Sequence, residues 1–136
     1  MVSQVVLDAS VTIGWLLEDE QDTFSLSVHR SVQEDGAVVP QHWEFEVANS
    51  LLFAERRGRL GRGEARQRFH YLDDLAIEID AASELDHAFS LAADHDLTLY
   101  DALYLELTIR HNLPLATLDN ELERAANARG VEVFSG

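Results

Sequence analysis

Two aspartates directly follow apolar runs whose length is typical of buried strands. Asp8 ends "VVLD" and Asp119 ends "PLATLD". Because ligands of open parallel sheets bind beyond the carboxyl ends of the strands, both carboxylates are expected at one edge of a sheet. Burial of an unpaired carboxylate is costly, which favours a binding role for this pair. A purely structural alternative is that Asp8 or Ser10, and Asp119, cap the helices that follow them.

A third acid, Asp101, heads the inward face of a predicted helix, "TLYDALYLELTIRHN". The residues three, four and seven positions further on are Tyr104, Leu105 and Thr108, which form a mostly apolar stripe. Asp101 lies in the first turn, where the helix dipole and free N–H groups stabilise an anion. A capping box with Thr98 explains an acid here, but not why it heads the inward stripe. A third inward acid favours a functional cluster.

The long predicted helix "HWEFEVANSLLFAERRG" contains two candidate acids, Glu44 and Glu46. On a helical wheel, Trp43, Val47 and Leu51 form one apolar stripe. Glu44 falls within this arc, whereas Glu46 falls beside it. The pattern weakly favours Glu44 as the inward acid, and periodicity leaves the choice between the two open.

The composition excludes several classes of chemistry. All ten basic residues are arginine, so the chain can form neither a Walker A phosphate loop nor a Schiff base on lysine. Without cysteine it has no disulfides and no thiolate metal site. "DASVT" has Ser10 where haloacid-dehalogenase-like phosphatases carry a second acid. The net charge of −15 argues against broad nucleic-acid binding, but not against a nuclease whose acidic pocket is neutralised by metal.

The order of the elements predicts an α/β domain with a mainly parallel sheet. Helical segments alternate with short apolar runs that read as strands: "VVL", "AVVP", "IEI", "PLATL" and "VEVF". The helix "SELDHAFSLAADHD" is predicted to begin with a capping box of Ser83 and Asp86. The length suits a single domain over residues 1–136. No signal peptide is evident, and no apolar run approaches the roughly 18 residues of a membrane span.

Four stretches, taken in this order, resemble the PIN-domain family, and most closely its VapC ribonuclease toxins of VapBC toxin–antitoxin pairs. They are "VVLDAS", "VPQHWEFEVANSLL", "LYDALYLELT" and "LATLDNEL". Together they span nearly the whole chain. The resemblance implies a three-layer α/β/α sandwich around a mainly parallel central sheet.

The resemblance also identifies candidate catalytic residues. The acidic quartet of the family maps onto Asp8, Glu46, Asp101 and Asp119. The family's glutamate lies in an "EVAN"-like context six residues after a proline, here Pro40, and this favours Glu46 over Glu44. Ser10 and Thr117 match small polar positions that support the pocket.

The activity implied by the resemblance is endonucleolytic cleavage of RNA that depends on Mg²⁺, with Mn²⁺ as a substitute. Crowded carboxylates repel one another unless a cation neutralises them, and an open site of oxygen ligands suits these ions better than zinc. We expect Asp8 and Asp119 to ligate the metal directly. Glu46 and Asp101 would complete the shell, directly or through water. A metal-activated water would then hydrolyse the phosphodiester bond.

The resemblance further implies partners. VapC-like proteins commonly form homodimers, and a cognate VapB-like antitoxin inhibits them by inserting a segment into the acidic pocket. A basic side chain in that segment would complement a protein of charge −15. RNA is the expected substrate, no membrane contact is expected, and the absence of cysteine fits a cytoplasmic location.

Six of the ten arginines lie within residues 56–68. They are candidates for contacts with RNA phosphates or with the acidic face of a partner. The alternative is a solvated surface with weak local ion pairs to Glu55 and Glu64. The residues singled out for RNA or partner contacts are Arg56, Arg57, Arg59 and Arg62.

Two other functions remain compatible with the same residues. The chain could be a catalytically weak PIN-fold module that binds proteins, or a housekeeping PIN nuclease without an antitoxin. The presence of all four acids argues against a degenerate site. A catalytic site should bind Mn²⁺ and lose that binding in Asp8→Asn, whereas a structural module should be indifferent to the metal.

Overall fold

The computed structural model describes residues 4–17 and 22–136, so residues 1–3 and 18–21 of the predicted domain lie outside the described part. Short strands alternate with helices along the chain. The strands are β1 (Val5–Leu7), β2 (Ala37–Pro40), β3 (Ile77–Asp80) and β4 (Leu115–Ala116). The helices are α1 (Ala9–Leu16), α2 (Thr23–Asp35), α3 (Trp43–Arg56), α4 (Glu64–Tyr71), α5 (Leu85–His95), α6 (Leu99–His111) and α7 (Asn120–Ala128), with a short 3₁₀ helix at Leu72–Asp74.

The four strands form one parallel sheet in the order β3-β2-β1-β4. Crossovers between parallel strands are right-handed. Because the chain steps from β1 to β2 to β3 and then returns past β1 to β4, α1 to α4 cover one face and α5 and α6 cover the other. The predicted three-layer α/β/α sandwich with a parallel central sheet is confirmed.

The core fills both faces of the sheet, and α6 is the helix with the longest continuous buried stretch. Every side chain of β1 is at most 1% exposed, and α6 is buried from Ala102 to Thr108. This helix packs against β1, β2 and β4. Each fully buried Leu or Val contributes roughly 1.5–3 kcal/mol, so α6 is held firmly on the sheet. It is a core helix, and no helix in the described ranges is both long and apolar enough to cross a membrane.

The carboxyl ends of the strands bring the predicted acids to one edge of the sheet. Asp8 follows β1, and its N–H donates to the carbonyl of Ala116 in β4 at 3.0 Å. Asp119 comes three residues after β4. After β2 the chain enters α3, whose first turn carries Glu46, and α6 starts with Asp101 in its first turn.

One predicted capping box is present and the other is not. Thr98 caps α6, because its Oγ1 accepts a hydrogen bond from the N–H of Asp101 at 3.1 Å. The capping box of Ser83 and Asp86 is wrong. Helix α5 begins at Leu85 with Glu84 at its N-cap, and no side chain caps it.

The last two predicted strands are shorter than the sequence suggests. "PLATL" reduces to the two residues of β4, and "VEVF" contributes an isolated parallel bridge between Leu115 and Val133. Leu115 donates to the carbonyl of Glu132 and accepts from the N–H of Phe134. After Ala116 the chain turns so that Thr117 reaches Asp8, which ends the strand before its apolar run is complete.

We expect Gly36→Ala to destabilise the fold strongly. Gly36 joins α2 to β2 at φ +83°, and an added Cβ would lie 2.6 Å from the carbonyl oxygen of Ala76. That carbonyl accepts the N–H of Ala37, so the clash falls on the β2–β3 pairing. The backbone strain alone costs about 1–3 kcal/mol, and the clash adds to it. Urea unfolding measures the loss.

Gly58→Ala is the matched control, since Gly58 has φ +79° and an added Cβ would meet nothing within 4 Å. It should lose less stability than Gly36→Ala because it suffers strain without a clash. Equal losses in the two variants would contradict the role assigned to the Ala76 contact.

Candidate active site

Asp8 is buried, with only 5% of its surface exposed. Its Oδ2 accepts hydrogen bonds from the hydroxyls of Ser10 at 2.9 Å and Thr117 at 2.6 Å. It occupies the N-cap position of α1, but its side chain makes no capping bond. Burial raises the pKa of Asp8, and the two hydroxyl hydrogen bonds counteract part of that rise. The carboxylate is therefore held by the pocket and is not used to start a helix.

The hydroxyls of Ser10 and Thr117 connect Asp8 to the loop that follows β4. Ser10 Oγ accepts the N–H of Leu118 at 3.1 Å, and Thr117 Oγ1 accepts the N–H of Asp119 at 2.9 Å. Each hydroxyl thus donates to Asp8 and accepts from the backbone of this loop. The two residues predicted to support the pocket both contact Asp8 and fix its position relative to Asp119.

Asp119 is a helix cap as well as a member of the acidic group. Its Oδ1 accepts the N–H groups of Glu121 at 2.9 Å and Leu122 at 3.1 Å, at the start of α7. The structural alternative considered for Asp119 is therefore real. Its Oδ2 accepts no hydrogen bond from the described residues, so one oxygen serves the fold and the other is left for a ligand.

The hydroxyl of Tyr104 positions Glu46, and the ring of His42 lies close by. The hydroxyl of Tyr104 donates to Glu46 Oε1 at 2.6 Å, and His42 Nε2 lies 3.4 Å from the same oxygen. Burial raises the pKa of Glu46, while the Tyr104 hydrogen bond lowers it. Burial lowers the pKa of His42, so its ring is neutral near pH 7. The contact with His42 therefore leaves the charge of Glu46 uncompensated.

Glu46, and not Glu44, is the glutamate that faces the aspartates. The charge of Glu46 acts on Asp8, and the charge of Asp101 acts on Glu46. Glu44 forms no hydrogen bond or ion pair with any described residue. The weak preference of the helical wheel for Glu44 was wrong, because the pocket lies at the flank of α3 and not under its apolar stripe.

Asp101 completes the group from the first turn of α6. Burial raises its pKa most, and repulsion by Asp119 and then by Asp8 adds to the rise. Each of the four acids therefore interacts electrostatically with at least one other. The structure brings together all four acids that the sequence singled out.

The donor set of this cluster fits a hard divalent cation. The groups are carboxylate oxygens, and the pKa values of Asp8, Glu46 and Asp101 are raised by burial and by mutual repulsion. None of the four acids forms an ion pair with an arginine among the described residues. A bound Mg²⁺ or Mn²⁺ would relieve this repulsion, and oxygen ligands are those these ions prefer.

Sequence reasoning missed Tyr104 and His42 as partners of Glu46. The helical pattern predicts that Tyr104 lies in the core, and it is fully buried. The pattern does not indicate that its hydroxyl binds Glu46. A buried tyrosine hydroxyl needs an acceptor, and this rule was the available signal. His42 precedes Glu46 by one helical turn, and its ring contacts those of Tyr100 and Tyr104 at centroid distances of 5.4 and 4.9 Å.

A second group of potential metal ligands lies between α5 and α6. One ligand atom from each of Glu84, His87 and Glu106 falls within 4.8 Å of the others. Glu106 is fully buried, and both of its oxygens accept hydrogen bonds from Arg110, at 2.6 and 3.2 Å. The guanidinium group already neutralises this carboxylate, so the group is better suited to an ion pair than to a metal.

The four candidate arginines are not part of the acidic cluster. Arg56 and Arg57 lie at the carboxyl end of α3, and Arg59 and Arg62 lie in the turn that leads to α4. Glu46 is near the opposite end of the same helix. These arginines therefore lie on a surface separate from the acids, at the other end of α3.

We expect Tyr104→Phe to weaken Mn²⁺ binding about tenfold, the lower end of the effect of losing a group that orients a metal ligand. The variant removes the hydrogen bond to Glu46 Oε1 and should also raise the pKa of Glu46 further. Calorimetric titration with Mn²⁺ measures the affinity. Tyr100→Phe is the control, because Tyr100 is exposed and its hydroxyl has no partner among the described residues. Similar Mn²⁺ affinities in both variants would refute this role of Tyr104.

We also predict a pH-dependent gain in stability from Asp8→Asn when divalent ions are removed with EDTA. A carboxyl group whose pKa is raised by folding keeps its proton to higher pH in the folded chain than in the unfolded chain. Above the ordinary value of 3.8 the folded state binds more protons, so stability falls as pH rises through this window. The stability of Asp8→Asn relative to wild type should therefore increase from pH 4 to pH 7.

The control for this measurement is Asp74→Asn, at an exposed aspartate of the 3₁₀ helix. Its stability relative to wild type should change less between pH 4 and pH 7 than that of Asp8→Asn, because Asp74 is exposed and Asp8 is buried. Denaturant unfolding at several pH values gives both differences. If the difference in stability between Asp8→Asn and wild type did not change with pH, folding would impose no electrostatic cost on Asp8.

The sequence of this chain is similar to those of known proteins. Residues 5–128 match the PIN domain family. Among curated proteins, Ribonuclease VapC3 of Pyrobaculum aerophilum is 38% identical over 81 residues, which cover 57% of this chain and 62% of that protein. The alignment therefore spans less than two thirds of this relative.

Solved structures show the same fold at low sequence identity. A crystal structure of a protein from Pyrobaculum aerophilum has a TM-score of 0.73 at 21% identity, covering 92% of this chain and 81% of the other. FitAcB from Neisseria gonorrhoeae has a TM-score of 0.67 at 16% identity, covering 97% of each chain. A toxin–antitoxin complex from Klebsiella pneumoniae has a TM-score of 0.59 at 18% identity, covering 85% and 87%. With its family match over nearly the whole length, the chain belongs to the PIN domain family.

Proposed function

We propose that this protein is an Mg²⁺- or Mn²⁺-dependent endoribonuclease and the toxin of a type II toxin–antitoxin pair. The observation that carries the proposal is the convergence of Asp8, Glu46, Asp101 and Asp119, none of which pairs with an arginine of the described residues. Membership of the PIN domain family and the similarity to a protein named Ribonuclease VapC3 support it.

In this proposal each of the four acids has a role that fits the contacts holding it in place. Asp8 and Asp119 bind the metal, since hydroxyls and the start of α7 fix their positions. Glu46 and Asp101 complete the shell, directly or through water. When bound, a divalent ion supplies a water of lowered pKa and neutralises charge on the phosphate. Glu46 has a raised pKa, which suits a carboxylate that accepts the proton of the attacking water.

An antitoxin of the VapB type is the proposed protein partner. Beside Glu46, a groove of about 670 Å³ is lined by apolar and polar side chains, among them His42, Phe45, Leu52 and Tyr100. Phe45 and Tyr100 are 69% and 61% exposed, which is unusual for side chains of this size. A segment with an apolar face and one basic side chain would fit this groove and reach the acids. One solved structure of the same fold is a toxin–antitoxin complex.

A homodimer is also part of the proposal, with RNA in the cytoplasm as the substrate. Exposed Leu85 and Phe89 on α5 provide a further apolar surface for self-association. The competing functions are a PIN-fold protein-binding module with little activity and a housekeeping nuclease without an antitoxin. Both retain the fold, and only the second retains metal-dependent cleavage.

The test is cleavage of a mixed pool of structured RNAs by the purified protein. We expect discrete fragments with Mg²⁺ and with Mn²⁺, and none with EDTA. Asp8→Asn should abolish the fragments because it removes a charged metal ligand, whereas Asp74→Asn, at an exposed aspartate of the 3₁₀ helix, should cleave like wild type. Gel or sequencing analysis of the fragment ends identifies the cleavage sites.

The outcome separates the candidate functions. Fragments in Asp8→Asn or in EDTA would indicate a contaminating nuclease and would contradict the proposed site. No cleavage by folded, antitoxin-free protein, together with no Mn²⁺ binding, would favour the protein-binding module. Cleavage by a protein for which no antitoxin can be found would favour a housekeeping nuclease.

A further inference from the structure

Positive charge on this acidic protein is concentrated in one place. Of the four arginines outside residues 56–68, Arg110, Arg124 and Arg129 form ion pairs with carboxylates. Within that segment, Arg56, Arg57 and Arg62 have no carboxylate within 4.0 Å among the described residues. In a chain with 25 acidic and 10 basic residues, arginines without acidic partners are unexpected.

Among the described residues, the nearby carboxylates of Glu55 and Glu64 make other contacts. Glu55 Oε1 accepts the N–H groups of Gly63 and Ala65, both at 3.1 Å. Glu64 accepts the N–H of Gly61 through Oε1 and pairs with Arg68 through Oε2. The alternative of local ion pairs to Glu55 and Glu64 therefore applies to Arg68 and not to Arg56, Arg57 or Arg62. No carboxylate of the described residues forms an ion pair with these three arginines.

An aromatic ring holds two of these guanidinium groups in place. The Cζ atoms of Arg56 and Arg57 each lie 5.9 Å from the centre of the Phe53 ring, within cation–π distance. Phe53 is 46% exposed. Beside it is a surface pocket of about 290 Å³ whose lining includes Ser50, Phe53, Arg57 and Arg59. We name Phe53, Arg56 and Arg57 the α3 cationic cluster.

Two members of the α3 cationic cluster, Phe53 and Arg57, lie on the same helical face as Glu46, whereas Arg56 lies about 80° away around the helix. At about 100° per residue, Phe53 and Arg57 fall within about 20° of Glu46 around the helix. At a rise of about 1.5 Å per residue they lie about 10 Å and about 16 Å further along the axis. The helical hydrogen bond from the N–H of Arg57 to the carbonyl of Phe53, at 3.0 Å, keeps this stripe continuous.

We propose that the α3 cationic cluster is a binding subsite for single-stranded RNA on one side of the phosphate that is cleaved. The inference rests on the proposed ribonuclease function. Arg56 and Arg57 bind backbone phosphates, since guanidinium groups pair with phosphate oxygens through two hydrogen bonds. Phe53 and the adjacent pocket receive a base, as aromatic side chains do in proteins that bind single strands.

RNA fits this surface better than an acidic protein does. A strand that passes the acids must continue in both directions, and the face of α3 leads directly from Glu46 to the guanidinium groups. A protein of charge −15 repels RNA phosphates over most of its surface, so the two guanidinium groups at the carboxyl end of α3 favour a strand path along this helix. An exposed aromatic ring between the acids and the cations matches bases alternating with phosphates.

The test is the binding of a fluorescein-labelled RNA of about 12 nucleotides, a length within the usual range for single-strand sites. Fluorescence anisotropy is measured in EDTA over a series of KCl concentrations, so that no cleavage takes place. The double variant R56Q/R57Q should weaken binding at least about fivefold at low salt and reduce the slope of log K against log [salt] by about 1.4, the share of two phosphate contacts in single strands. Phe53→Leu should also weaken binding while leaving the salt slope unchanged.

The matched control is R30Q/R124Q, which changes the net charge by the same two units at exposed positions outside α3. It should retain the wild-type slope and nearly the wild-type affinity. Equal weakening of RNA binding in the two double variants would overturn the proposal, because the loss of affinity would then come from the change in net charge alone. Unchanged RNA affinity in R56Q/R57Q would also overturn it, and loss of antitoxin binding by that variant would assign the surface to a protein partner.

These results are separate from those of the cleavage assay. RNA binding that depends on Arg56 and Arg57 in a protein that never cleaves RNA would support the subsite and contradict the nuclease. Metal-dependent cleavage with an unchanged KM in R56Q/R57Q would support the nuclease and contradict the subsite. Thermal unfolding of each variant confirms that the compared proteins are folded.

Discussion

Repulsion among four carboxylates at one edge of the sheet is the constraint around which this protein is arranged. The fold holds three of them with neutral donors: hydroxyls for Asp8, a tyrosine for Glu46 and backbone N–H groups for Asp119. Neutral donors fix position without cancelling charge. The result is a set of oriented oxygens whose negative potential remains for a cation to relieve, which is what a site that must take up a divalent ion requires.

The same chain treats its structural acids in the opposite way. Asp80 accepts hydrogen bonds from Arg110 and His111, and these hold the pKa of Asp80 well below its usual range. Arg110 also pairs with the fully buried Glu106. These interactions join the edge strand β3 to the last turn of α6. Asp80 and Glu106 each pair with a cation, whereas the four acids of the candidate site pair with none among the described residues, so these two groups of carboxylates differ in how their charge is treated.

The fold and three of the acids follow from the sequence because topology determines them. A parallel sheet places Asp8 and Asp119 at one edge whatever the details of packing, and the Thr98 cap places Asp101 at the start of α6. Other features depend on long-range contacts that periodicity does not contain. The choice of Glu46 depends on Tyr104, 58 residues away in sequence. Whether Arg56 and Arg57 are paired with an acid depends on whether the carboxylate of Glu55 binds them or binds backbone N–H groups.

Asp119 and Asp8 are expected to respond differently to selection, because only Asp119 also stabilises the fold. Oδ1 stabilises the start of α7, a contribution of about 1 kcal/mol that does not depend on activity. Asp8 is buried at a cost to the folded state. In a descendant that no longer needed the metal, selection for stability would retain Asp119 and would favour the loss of Asp8. An intact Asp119 alone therefore says little about activity in a related chain, whereas an intact Asp8 marks a site still under selection for use.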